Sequence, residues 1–138
     1  MRINLTVNGQ PVATDVPSDW TLLRFLREGL RLTGTKHGCD GEGVCGACTV
    51  IVDGRARLSC RVRMADMAGH SVETIESLMQ DGKPHIIQQA FIQEHVFQCG
   101  YCAPGTLMRV KALLDRNPNP TEEEIRRALS AHLCRCSG

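Results

Sequence analysis

Eight cysteines stand in a chain of 138 residues, and they fall into two groups of four. Cys39, Cys45, Cys48 and Cys60 follow the spacing C-x5-C-x2-C-x11-C; Cys99, Cys102, Cys134 and Cys136 follow C-x2-C-x31-C-x-C. Thiolates are nucleophiles, disulfide formers and ligands for soft metals. The opening MRINLTVNGQ reads as a strand rather than a secretory leader, and no twin-arginine pair precedes it, so the expected compartment is the cytoplasm. In a reducing compartment so many cysteines point to metal rather than to disulfides. Four sulfur donors per group is the ligand count of a structural zinc, of a [2Fe–2S] cluster or of a [4Fe–4S] cluster.

The glycines discriminate among these. The stretch GCDGEGVCGACTV, residues 38–50, interleaves Gly38, Gly41, Gly43 and Gly46 with three thiols. An iron–sulfur cluster is larger than a single ion, and its sulfides and cysteine sulfurs accept backbone N–H bonds. A loop that turns its amides inward needs backbone angles that glycine reaches most easily. A zinc knuckle needs fewer such positions. Gly41, Gly43 and Gly46 are therefore candidate cofactor-binding positions, and Gly100, directly after Cys99, is a fourth. The first spacing is close to the plant-type ferredoxin pattern C-x4-C-x2-C…C, with one extra residue between Cys39 and Cys45. His37 and His132 each stand two residues before a cysteine. With four thiols in each group, both read as loop or helix-end residues rather than Rieske-type ligands.

The elements that must position these thiols change character near residue 75. Ile3, Leu5 and Val7 alternate along residues 2–7, Asn8-Gly9 is a hairpin turn, and a second strand follows over about 12–16. Ser18 reads as the N-cap of a helix through about Leu30, with Leu22, Leu23, Leu26 and Leu30 as its buried stripe. After the glycine-rich loop, TVIV and RARLSCRV flank Asp53-Gly54. A two-residue turn there pairs Val52 with Arg55 and sets Cys48 opposite Ser59, which carries Cys60 to Cys48. Beyond it, a short helix is expected near 74–80 and longer ones over 85–97 and 105–115. A last helix opens with a Thr121/Glu124 capping box after Pro120. Cys99-Gly100 reads as a helix C-terminus, Cys102 precedes a helix begun by Pro104-Gly105, and Cys134 and Cys136 follow the last helix. The expected class is α+β: a small sheet crossed by one helix, then a small helical bundle. The hinge falls in MQDGKPH, residues 79–85, dividing the chain into domains 1–78 and 79–138.

Composition narrows the function. The net charge of +1 gives no single-sign run, so neither nucleic acid nor an anionic membrane is an expected partner. No apolar run approaches the roughly 20 residues of a membrane span. The chain has no glycine-rich dinucleotide fingerprint and no P-loop, and no acid–base pair stands in a recognisable setting. No catalytic residue is expected in it.

Three motifs carry a resemblance. GCDGEGVCGACTV, QCGYCAPG and HLCRCSG, in this order, resemble the iron–sulfur subunit of the molybdenum hydroxylases. That group holds xanthine dehydrogenase, aldehyde oxidoreductase, aerobic carbon monoxide dehydrogenase and bacterial enzymes acting on aromatic heterocycles. The resemblance covers almost the whole chain. It implies an N-terminal β-grasp, ferredoxin-like [2Fe–2S] domain and a C-terminal four-helix-bundle [2Fe–2S] domain. It implies that Cys39, Cys45, Cys48 and Cys60 ligate the first cluster, facing a flavin-binding subunit. Cys99, Cys102, Cys134 and Cys136 would ligate the second, near a molybdopterin held by a large subunit, with Gln98 and Cys136 against the pterin. The implied function is that of an oxidoreductase subunit relaying single electrons between the molybdopterin centre and FAD or another acceptor. The implied partners are a large molybdopterin-binding chain and an FAD-binding medium chain, in a dimer of heterotrimers. The chain departs from the family by its extra residue after Cys39 and by stopping at Gly138, where relatives usually continue.

Overall fold

The computed structural model describes residues 1–136. Strands β1 (Arg2–Val7) and β2 (Gln10–Asp15) form the first hairpin, with Val7 opposite Gln10. Strands β3 (Thr49–Val52) and β4 (Arg55–Leu58) form the second in the expected register, Val52 opposite Arg55 and Thr49 opposite Leu58. No periodicity in the sequence marks β5 (Ser71–Glu73), three residues long, which joins the hairpins. It runs parallel to β1 and antiparallel to β3, giving a mixed sheet in the order β2-β1-β5-β3-β4. The alternating Ile3, Leu5 and Val7 of β1 meet Val50, Val52 and Val72 of the other strands in one buried core.

The first helix is shorter than its periodicity implies. Helix α1 spans only Leu22–Arg24 and continues as a π-helical turn over Phe25–Gly29, where the Leu30 amide bonds to the Phe25 carbonyl at 2.9 Å. The cap is Thr21, not Ser18: the Thr21 hydroxyl accepts from the Arg24 amide at 3.2 Å. Residues ahead of Thr21 cannot be helical because they are tied to the strand-like segment near Val62. Thr21 bridges Arg63, the Leu22 amide bonds to the Val62 carbonyl at 2.7 Å, and the Met64 amide to the Trp20 carbonyl at 2.9 Å. Of the expected stripe, Leu22, Leu23 and Leu26 are buried, whereas Leu30, at the end of the π-helical turn, is only half-buried against the core.

In the second half, the segment near 74–80 holds only a 3₁₀ turn, Ile75–Ser77. Helix α2 (Ile86–Gln93) stops short of residue 97. His95 takes a φ of 53° and Phe97 folds back on Phe91, ring centroids 5.8 Å apart. Cys99-Gly100 therefore lies in a loop beyond α2, not at a helix C-terminus. Helix α3 (Ala103–Arg116) starts at Ala103 with Pro104 in its first turn, where the missing N–H costs nothing. Helix α4 (Glu122–Leu129) carries the expected capping box, Thr121 and Glu124 each accepting from the other's amide at 3.2 Å.

The two halves share a core. Ile51 of β3 packs with Leu78, Ile87, Leu107, Met108 and Ala112, so α3 lies directly on the sheet. Gly105 makes this approach possible: a Cβ there would strike the Gly46 carbonyl oxygen. Among the described residues no helix is long and apolar enough to cross a membrane.

Candidate metal centres

The first four thiols converge from a loop and a hairpin. The β3–β4 register sets Ser59 against Cys48: the Ser59 amide and hydroxyl both donate to the Cys48 carbonyl, at 3.3 and 2.7 Å. Cys60 is thereby held beside Cys48; Cys60 also interacts with Cys39 of the loop, and Cys48 with Cys45. The loop turns its amides towards sulfur. Val44 N–H donates to the Cys39 sulfur at 3.5 Å, and Ala47 N–H to the Cys45 sulfur at 3.4 Å. Gly41, Gly43 and Gly46 reach this path with φ of 83, 75 and 77°. At Gly43 the requirement is double, because a side chain would also meet the aliphatic stem of Arg61 at 2.9 Å.

The electrostatics of this site are divided. The Val44 amide, helped by those of Cys45 and Gly43, holds the Cys39 thiol down at about 7. Burial, aided by Cys48 and Cys39, pushes Cys60 up to about 12, and burial also raises Cys45. Four thiolates in one place repel one another, and a bound cationic centre relieves that repulsion by replacing their protons.

The second four thiols gather around a cavity of about 50 Å³, which Cys99, Cys102, Cys134 and Cys136 line together with Gln98 and Gly100. Cys99 and Cys102 come from the α2–α3 connection, Cys102 at the N-cap of α3; Cys134 and Cys136 follow α4. The Tyr101 amide donates to the Cys99 sulfur at 3.4 Å and, with Cys136, keeps that thiol below its ordinary range. Burial and then Cys134 push Cys102 up. Gly100, with φ of 81°, turns the chain between Cys99 and Cys102.

The two sites touch. The Leu133 amide, next to Cys134, donates to the Cys45 carbonyl at 3.0 Å, and the Tyr101 hydroxyl to the His37 carbonyl at 2.7 Å. Cys45 and Cys102 line one cleft. His132 is not an incidental helix-end residue: its ring covers Gly46, where a Cβ would lie 2.7 Å from Nδ1. Burial, then the charge of Arg109, lowers its pKa. Nothing in the spacing of His132, Tyr101 and Gly105 marks these contacts. Their roles depend on how the second half folds back on the first.

The donor set fits iron–sulfur centres: two thiol quartets, each with N–H groups aimed at sulfur. Comparison with known proteins agrees. A model described as "2Fe-2S iron-sulfur cluster binding domain" matches residues 5–71, and one described as "[2Fe-2S] binding domain" matches 74–138. One of the subunits of nicotinate dehydrogenase from Pseudomonas putida is 54% identical over 134 residues, covering 97% of this chain and 85% of the relative. This chain belongs to the iron–sulfur subunits of the molybdenum hydroxylases. The small FeS subunit of nicotinate dehydrogenase from Eubacterium barkeri is 45% identical over 138 residues, covering 100% of this chain and 87% of the relative. The crystal structure of quinoline 2-oxidoreductase from Pseudomonas putida 86 superposes with a TM-score of 0.95 at 42% identity, over 100% of this chain and 85% of its counterpart. As an iron–sulfur subunit, the chain comprises two [2Fe–2S]-binding domains and serves electron transfer in an oxidoreductase. The structural-zinc reading of the quartets falls with that membership.

Proposed function

We propose that Cys39, Cys45, Cys48 and Cys60 ligate one [2Fe–2S] cluster and Cys99, Cys102, Cys134 and Cys136 the other. Through them the chain passes single electrons between a molybdopterin centre in a large partner chain and FAD or another acceptor outside this chain. When bound, each cluster supplies a one-electron redox couple whose potential depends on hydrogen bonds to sulfur and on solvent exposure. The protein's own work is structural and electrostatic. The Val44, Ala47 and Tyr101 amides stabilise charge on sulfur, burial of Cys48 and Cys60 excludes water, and the Leu133–Cys45 bond fixes one site against the other.

The observation that carries this reading is the contact between two amide-lined thiol quartets within one shared core. The finer architecture on this reading is a β-grasp domain over about residues 1–78 and a bundle domain over 79–138, in which α2, α3 and α4 are three of the four helices that the family resemblance implies. Gln98, which lines the second cavity, and Cys136 would face the pterin. The large chain would cover the exposed apolar side chains near that cavity, Val96, Phe97 and Leu133. The assembly is a cytoplasmic dimer of heterotrimers on this reading. Cys102→Ser or Cys134→Ser tests the ligand assignment. Either variant is expected to lose the EPR signal of the second cluster and keep the first; a variant with both signals at full intensity would contradict it.

A further inference from the structure

The near-neutral net charge conceals a basic groove. Arg55 and Arg57 of β4 and Arg109 and Arg116 of α3 line a cleft of about 410 Å³ with a floor that includes Ala112 and Leu113. Sharing Arg57 and Arg109, it runs on into a second cleft of about 340 Å³, bounded by Gly43 and Val44. No carboxylate lines either cleft among the described residues. Within them Arg55, Arg57 and Arg116 have no acidic partner, whereas Arg126 and Arg127 on α4 pair with Glu122 and Glu123. Arginine on β4, the outer strand of the sheet, guards an open edge against pairing with another chain. On α3, Arg116 sits in the last turn, where a cation favours the helix C-terminus, and Arg109 donates its Nε–H to the Ala128 carbonyl at 3.1 Å; both add their charge to the same cleft.

We infer that this groove docks an acidic electron-carrier protein, seated so that it meets the first thiol quartet through the Gly43–Val44 backbone. The inference rests on the electron-transfer reading and names a partner class for its first site. Gly43 and Val44 are the residues whose amides face the Cys39 thiol, so the far end of the groove backs directly onto that site. Exposed, unpaired guanidiniums steer an oppositely charged partner and yield a salt-dependent encounter. The step is a one-electron transfer: the reduced first site loses one electron and the oxidised carrier gains it, with no proton or group transferred.

The test uses the full iron-loaded chain, reduced anaerobically with one equivalent of dithionite and mixed in a stopped-flow with oxidised cytochrome c. Native cytochrome c is the basic probe and its succinylated form the acidic one, with the same haem. Wild type is expected to reduce the succinylated form about tenfold faster than the native at low salt, with the rates converging at high salt. The variant R55E/R57E/R116E should lose or invert that preference, and R55K/R57K/R116K should retain it. EPR signals from both clusters in each variant certify the fold; should the triple variant fail to assemble, R57E and R116E singly carry the same comparison. Equal rates for the two probes in wild type, or an unchanged preference in R55E/R57E/R116E, would overturn the groove assignment. So would saturation of the groove by tripolyphosphate without any loss of probe discrimination, which would assign it to a small anion. A chain that holds no reducible iron would instead fail the electron-transfer reading itself.

Discussion

Gly105 has no side chain and no spacing partner, yet it sets how closely the two sites approach. A methyl group there would meet the Gly46 carbonyl oxygen, which is backbone and cannot swing aside. Relieving that clash means moving α3 away from the loop that holds Cys45 and Cys48. Gly105→Ala should therefore cost about 1–3 kcal/mol in denaturant unfolding of the iron-loaded chain. It should also weaken the magnetic interaction between the reduced clusters in EPR. Wild-type stability in this variant would show that the approach is not tight. Cys60 is the complementary case, a buried ligand delivered by hairpin register rather than by a loop. Cys60→Ser should remove the first cluster's EPR signal and leave the second, the mirror image of Cys102→Ser.

At the scale of elements, local chemistry was legible wherever it was self-contained. Asn8-Gly9 and Asp53-Gly54 set both hairpins, and Thr121 with Glu124 set the start of α4, because each signal involves residues a few positions apart. The structure departs from these local signals where a distant segment intervenes. Val62 and Arg63 hold the chain extended up to Thr21 and displace the cap from Ser18. The Phe97–Phe91 contact ends α2 early and leaves Cys99 in a loop. Strand β5 is too short to show periodicity and exists because both hairpins offer it an edge. The thiol quartets were legible as sets, but the contact between them was not, since it depends on the segment after α4 returning to Cys45.

That returning segment should sense pH. His132 is kept neutral chiefly by burial and has a lowered pKa in the fold, against an ordinary value of 6.5. Below 6.5 the unfolded chain takes up a proton that the folded chain resists, so this contribution to stability is present above that value and is lost as pH falls towards the folded pKa. Wild type should lose stability as pH falls below 6.5 relative to His132→Gln, whose side chain does not titrate. Parallel stability curves for the two proteins would show that His132 is freely protonated in place.

At the scale of the molecule, one core serves two sites. Ile51, from the strand pair that also delivers Cys48 and Cys60, packs with Leu107 and Met108 of α3, whose N-cap is Cys102. Moving either half moves both quartets, so the spacing between them belongs to the fold rather than to a linker. The central claim is that each quartet holds a [2Fe–2S] centre and that both accept electrons. The most direct measurement is a reductive titration of anaerobically purified chain, with iron and acid-labile sulfide determined on the same sample. The account predicts about four iron and four sulfide per chain, uptake of about two electrons, and two distinct EPR signals of equal spin intensity. Iron at half that level with a single signal, or metal that takes up no electrons, would contradict it.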